Sequence, residues 1–103
     1  MKGLIHAAAV TLLIAPAAFA EDAAAIFKAK CAMCHGADGS GQTSIGKSKK
    51  IRDLRSPEVQ KQTDKEIYEW ISDGKGKKSG FKNKLSEAEI NSLVAYVRGL
   101  ARK

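Results

Sequence analysis

Two thiols and an imidazole fall within five residues, in the run Cys31-Ala32-Met33-Cys34-His35. As a zinc site the set is short: zinc takes four ligands, commonly Cys and His, and three stand here. As a thioredoxin-like redox pair it needs strands around it, and no segment of the chain alternates as a strand does. The C-x-x-C-H spacing suits covalent attachment of a haem. Two thiols one helical turn apart can each add to a vinyl group of one macrocycle, and the adjacent imidazole can then ligate the iron. The expected assignment is Cys31 and Cys34 as the haem thioethers, His35 as the axial iron ligand, and one haem c per chain.

Helices must carry these groups. A first helix is expected from Asp22, a good N-cap, through Ala23-Ala24-Ala25, which are strong helix formers. Ile26 and Phe27 form an apolar ridge one turn before Cys31, so this helix delivers its end to the motif. Gly36, Gly39 and Gly41 then break it. Residues 36–55 lack periodicity and are expected to loop around the cofactor edge, with Ile45, Ile51 and Leu54 turned inward.

Capping patterns mark the later helices. Ser56-Pro57 reads as an N-cap followed by Pro at the first helical position. Thr63-Asp64-Lys65-Glu66 and Ser86-Glu87-Ala88-Glu89 are capping boxes, and Leu85 with Ile90 makes a hydrophobic staple. The middle helix carries Ile67, Trp70 and Ile71 on one stripe and stops at Gly74. Trp70 is expected in the core, facing the haem. The last helix spaces Ile90, Leu93, Val94, Val97 and Leu100 by threes and fours, with Tyr96 at the edge of the stripe. The expected fold is all-α, with three to four helices.

Residues 1–20 read as a secretory signal: Lys2, an apolar run from Leu4 to Phe19, and an Ala18-Phe19-Ala20 cleavage site. The run is short for a bilayer span, which takes about 20 residues, and Pro16 interrupts it. The expected organisation is a leader (1–20) and one domain (21–103), periplasmic or otherwise exported, with His6 lost in the leader. A domain this small buries little apolar surface, so a covalently held haem would serve as its staple.

The chain is basic, with a formal charge of +7. Much of that charge sits in Lys47–Arg55 and Lys75–Lys84. Such a rim would steer acidic redox partners by long-range attraction, and an anionic membrane surface fits the same charge. Nucleic acid does not fit, because the chain reads as exported and the lysines lack interleaved aromatics. A monomer is expected.

Over residues 21–103 the chain resembles the small bacterial class I c-type cytochromes. The resemblance rests on Ile26-Phe27-Lys28-Ala29-Lys30-Cys31-Ala32-Met33-Cys34-His35-Gly36, on Ile71-Ser72-Asp73-Gly74-Lys75-Gly76, and on Leu85-Ser86-Glu87-Ala88-Glu89-Ile90 leading to Leu93-Val94-Ala95-Tyr96-Val97-Arg98. It implies a cytochrome c-like fold in which the first and last helices cross and pair an aromatic from each, here Phe27 and Tyr96. It also implies His35 as proximal ligand and electron transfer outside the cytoplasm. Relatives often place a proline carbonyl against that ligand's other nitrogen, but no Pro lies between His35 and Pro57.

One stretch departs from the family. Relatives usually read G-x-G-x-M-P-x-F, and that Met closes the sixth iron position. Here Gly74-Lys75-Gly76-Lys77-Lys78-Ser79-Gly80-Phe81 puts Lys78 at the Met position. Of the two methionines, Met1 is in the leader and Met33 is inside the attachment motif. Three candidates remain for the sixth position: the amine of Lys78 or its neighbour Lys77, water or nothing, and Asn83. An amine must lose its proton to ligate, which at pH 7 costs about 4.6 kcal/mol from the ordinary lysine pKa.

The leading expectation is a non-enzymatic, haem-binding electron carrier of the periplasm or cell envelope. The alternative is a haem protein that binds nitric oxide, carbon monoxide or peroxide at an open or Lys-gated site, as a sensor or weak peroxidase. Residues 74–84 supply no His and no acidic group for the acid–base work of an efficient peroxidase.

Overall fold

The computed structural model describes residues 22–75 and 80–103. The expected leader, Lys77 and Lys78 lie outside them. Six helical segments run in order: α1 (Ala23–Lys30), α2 (Ala32–His35), α3 (Ser44–Lys49), α4 (Pro57–Gln60), α5 (Asp64–Asp73) and α6 (Glu87–Leu100). Three are full helices and three are short turns, and no strand occurs among the described residues. The expected all-α fold is present. The expected unbroken loop over 36–55 is not, because Thr43 caps a helical turn there by accepting the Gly46 N–H.

The capping chemistry read from the sequence is in place. The Ser56 hydroxyl accepts the Val59 N–H ahead of Pro57. Both arms of the Thr63/Glu66 box and of the Ser86/Glu89 box are formed. Each box satisfies two amide donors that a bare helix start leaves unpaired. Asp22 stands at the N-cap of α1 but makes no side-chain cap.

The core is the meeting of α1, α5 and α6. Ile26, Phe27, Leu85, Ile90, Leu93 and Leu100 form one buried cluster, against which Tyr68, Ile71 and Tyr96 pack. Burying side chains of this size stabilises by about 1.5–3 kcal/mol each. The Phe27 and Tyr96 rings meet with centroids 4.9 Å apart, so the expected aromatic pair joins the first and last helices.

A polar tie fixes α6 to the α4–α5 corner. The Arg98 guanidinium donates to the Gln60 carbonyl at 2.7 Å, to the Gln62 carbonyl at 2.5 Å and to Asp64 Oδ1 at 2.9 Å. Gln60 Nε2 donates in turn to the carbonyls of Leu54 and Val97. The bonds from Arg98, and that from Gln60 to Val97, join segments more than thirty residues apart in sequence.

Candidate functional site

The attachment motif is a tight turn after α1. Cys31 ends α1, its N–H donating to the Phe27 carbonyl at 2.8 Å. Its own carbonyl then accepts from Cys34 at 3.2 Å and His35 at 2.9 Å. Cys31, Cys34 and His35 therefore stand within one turn. Both thiols are half-buried and neither is in a disulfide. Gly36 ends α2 with a φ of 85°, a conformation that suits glycine.

Contacts absent from any local pattern hold this turn. The Gly41 N–H donates to the His35 carbonyl at 2.6 Å. The Thr43 hydroxyl donates to the Cys34 carbonyl at 2.7 Å while accepting from Gly46. Gly46 lies so close that an added Cβ would stand 2.6 Å from the Cys34 carbonyl oxygen. A short helix is thus pressed against the backbone of the motif, and the Phe27 ring lies 6.4 Å from the His35 ring. Thr43, Gly41 and Gly46 are the supporting residues that sequence reasoning did not find.

Cys31, Cys34 and His35 open onto a cavity of about 510 Å³. Ile51, Leu54, Val59, Ile67, Ile71, Phe81, Leu93 and Val97 supply its apolar wall. Trp70 lines it too, with the Lys75 ammonium 5.2 Å and the Arg52 guanidinium 5.9 Å from its ring centroid. The expected inward residues Ile51 and Leu54 are there. Ile45 and Asn83 do not line the cavity, and Asn83 is exposed. Asn83 is therefore a poor candidate for an iron ligand.

The chain returns along α5 after residues 76–79. The Gly74 N–H donates to Trp70, the Phe81 N–H to Ile71 at 2.9 Å, and the Lys82 N–H to Ser72 at 3.0 Å. Gly80 passes against the end of α5, where an added Cβ would meet the Ser72 carbonyl oxygen and lie 2.7 Å from that of Asp73.

The chemistry of the donor set fits a haem. Among the described residues no cluster of three or more His, Cys, Asp and Glu could hold a bare metal ion. Two thiols outside any disulfide, one imidazole and an apolar cavity in the range of cofactor sites, about 300–1,000 Å³, instead match a macrocycle anchored at one edge. The family model for cytochrome c matches residues 20–101. The chain belongs to the cytochrome c family.

It is 39% identical over 85 residues to the cytochrome c6 of Leptolyngbya boryana, covering 80% of this chain and 96% of that protein. A second cytochrome c6, from Synechocystis sp., is 34% identical over 79 residues, covering 77% of this chain and 63% of that one. Among solved structures, KustC0563 c-type cytochrome superposes with a TM-score of 0.71 at 34% identity, covering 77% of this chain and 96% of that one. This cytochrome is a small class I c-type protein, and its cofactor is covalent haem c. Like its family, it is a haem-binding electron carrier.

Proposed function

We propose that this cytochrome is an exported one-electron carrier in which Cys31 and Cys34 hold the haem by thioethers, His35 is the proximal ligand, and no methionine fills the sixth position. The observation that carries this reading is the convergence of both thiols and His35, from one turn, on a single apolar cavity. The bound haem supplies a ferric/ferrous couple. The chain's residues do the rest. Thr43 and Gly41 hold the carbonyls of Cys34 and His35, which fixes the turn that orients the imidazole. Ile51, Leu54, Val59, Ile67, Ile71 and Phe81 exclude water, and the cationic rim attracts acidic redox partners. The segment 1–20 acts as the leader.

Met33 is 73% exposed on the attachment turn, where it serves the cavity poorly as a ligand. Lys78 stands at the position of the usual methionine, so an amine or an open site is the reading for the sixth position. An amine or water favours ferric iron more than a thioether does, which lowers the potential.

The open-site alternative, a small-ligand-binding haem protein, draws on that same lysine. Against peroxidase work, among the described residues no Asp or Glu lines the cavity and His35 is the one imidazole there.

Optical spectra of ferric and ferrous protein across pH, with and without carbon monoxide, test the reading, together with a potentiometric titration. A c-type spectrum and a potential below that of Met-ligated relatives are expected. Lys ligation would slow carbon monoxide uptake at high pH and quicken it as the amine protonates, whereas an open site would bind it rapidly throughout. A potential typical of Met ligation would overturn the sixth-ligand assignment, and a chain that attaches no haem would overturn the whole.

A further inference from the structure

Part of the cavity wall is fastened by polar bonds. Leu54, Val59, Gln62 and Val97 line the cavity and come from three stretches of chain: the loop before α4, α4 with the residues that follow it, and α6. Gln60 joins all three. Its Nε2 donates to the Leu54 carbonyl at 2.8 Å and to the Val97 carbonyl at 3.1 Å, and its Oε1 accepts from Arg98 Nη1 at 3.4 Å. Arg98 also holds the Gln60 and Gln62 carbonyls, at 2.7 and 2.5 Å, while Asp64 accepts from the guanidinium at 2.9 Å. These partners leave the Gln60 amide one orientation, because the reverse would set its oxygen against two carbonyl oxygens.

Helix α4 needs such a fastening. It is a single turn, Pro57–Gln60, and helices this short do not hold themselves in water. Its buried residue, Val59, lines the cavity and stands outside the buried cluster that joins α1 to α6. The Val97 carbonyl, in turn, is one of the last four of α6, which a helix leaves without a donor of its own.

We propose that Gln60, aimed by Arg98, is a positioning residue that keeps the α4 wall of the cavity dry and so holds up the reduction potential of the haem. The proposal deepens the electron-carrier reading and rests on it. Without the Gln60 amide, the carbonyls of Leu54 and Val97 still need donors, and water is what can supply them. Water admitted there enters among side chains that line the cavity. The apolar shell around a redox centre controls its solvent access and local dielectric, hence its potential. Ferric haem carries one more positive charge than ferrous haem, and charge is costly in dry surroundings. A wetter wall therefore favours the ferric form and lowers the potential.

The test compares the haem-loaded parent with Gln60→Met, Arg98→Lys and Ser86→Ala, each equilibrated with one-electron dyes. One electron passes between dye and haem iron, and no bond forms or breaks. Gln60→Met keeps the net charge and much of the side chain's length but loses both donors. Arg98→Lys keeps the charge and loses the planar fork. Ser86→Ala removes the cap at the opposite end of α6 from Arg98, at a residue that does not line the cavity. Gln60→Met should shift the dye equilibrium about threefold toward ferric haem, which is about 28 mV for a one-electron couple. Arg98→Lys should shift it the same way by less. Ser86→Ala should lose stability in denaturant and keep the parent's potential. Absorption spectra should stay those of the parent, while amide hydrogen exchange at positions 60 and 61 should quicken in the first two variants.

The assignment is overturned if Gln60→Met keeps or raises the parent's potential, or if Ser86→Ala lowers it as far. Changed spectra would overturn it too, because Gln60 would then act through the iron's ligands. So would loss of haem from both Gln60→Met and Arg98→Lys, which would make the tie a requirement of folding and not a control on the potential. A parent that attaches no haem, or shows no reversible one-electron couple, would instead overturn the carrier reading itself.

Discussion

The two sides of the cavity are built by different means. On the His35 side, backbone is fastened to backbone: Gly41 holds the His35 carbonyl, Thr43 holds that of Cys34, and Gly46 lies against both supports. On the α5 side, Ile67, Trp70, Ile71 and Phe81 present side chains, with Arg52 and Lys75 against the Trp70 ring. Backbone contacts fix one geometry, because interiors are close-packed and yield little. Side-chain walls define volume and charge and tolerate exchange of similar shapes. The first arrangement suits attachment and ligation, which need atoms in set places. The second suits tuning of the iron's surroundings.

Paired glycine substitutions give the largest expected effect. Gly46→Ala and Gly80→Ala each drive a Cβ into carbonyl oxygens of the neighbouring backbone. Each should cost about 3 kcal/mol, the upper part of the range for overpacking, measured by denaturant titration of the haem-loaded proteins. Their other consequences should differ. Gly46→Ala should lower the yield of covalent haem, whereas Gly80→Ala should keep the yield and move the potential. Equal yields would show that the His35 side is no stiffer than its counterpart.

Thr43→Ala should cost about 2 kcal/mol, combining the loss of a helix N-cap with that of a hydrogen bond to the Cys34 carbonyl. Thr43→Ser keeps both contacts and should behave as the parent in the same titration. If the two variants unfold alike, the hydroxyl does not hold the turn.

The smallest effect belongs to the outer end of α5. The Thr63 backbone N–H, followed by its hydroxyl, holds the Glu66 carboxyl below its usual value of 4.5. A depressed folded pKa means that the ionised cap stabilises fully above the unfolded value and fades as pH falls through the lower folded one. The melting temperatures of the parent and Glu66→Gln should therefore differ most at neutral pH and converge below pH 4.5. A constant difference would remove ionisation from the account. Haem attachment should be unaffected, because this box lies away from the motif in the chain.

Legibility in the sequence tracks the range of each interaction. Ser56, Thr63 and Ser86 were legible because a cap and the amides it serves lie within three residues. The apolar stripe of α6 was legible because its period is local, and all five of its spaced positions are buried. Helix α3 was not, since Ser-Ile-Gly-Lys-Ser-Lys carries no stripe and part of its anchorage is Thr43 on Cys34, nine residues away. The Gln60–Arg98 tie spans thirty-eight residues and leaves no mark on either segment alone. At the site, C-x-x-C-H announced the motif, but the residues that hold its carbonyls gave no signal before the chain was folded.

The bracket between residues 71–72 and 81–82 has a consequence for how this protein can change over time. Both backbone N–H groups at its far end are pinned to α5, and the ordering cost of a loop depends only weakly on its length. Changes of length between the pins therefore cost the fold little, whereas Gly80 cannot take a side chain against the end of α5. The number of residues held between the pins can thus drift while the electron-carrying fold is inherited, so long as position 80 stays glycine.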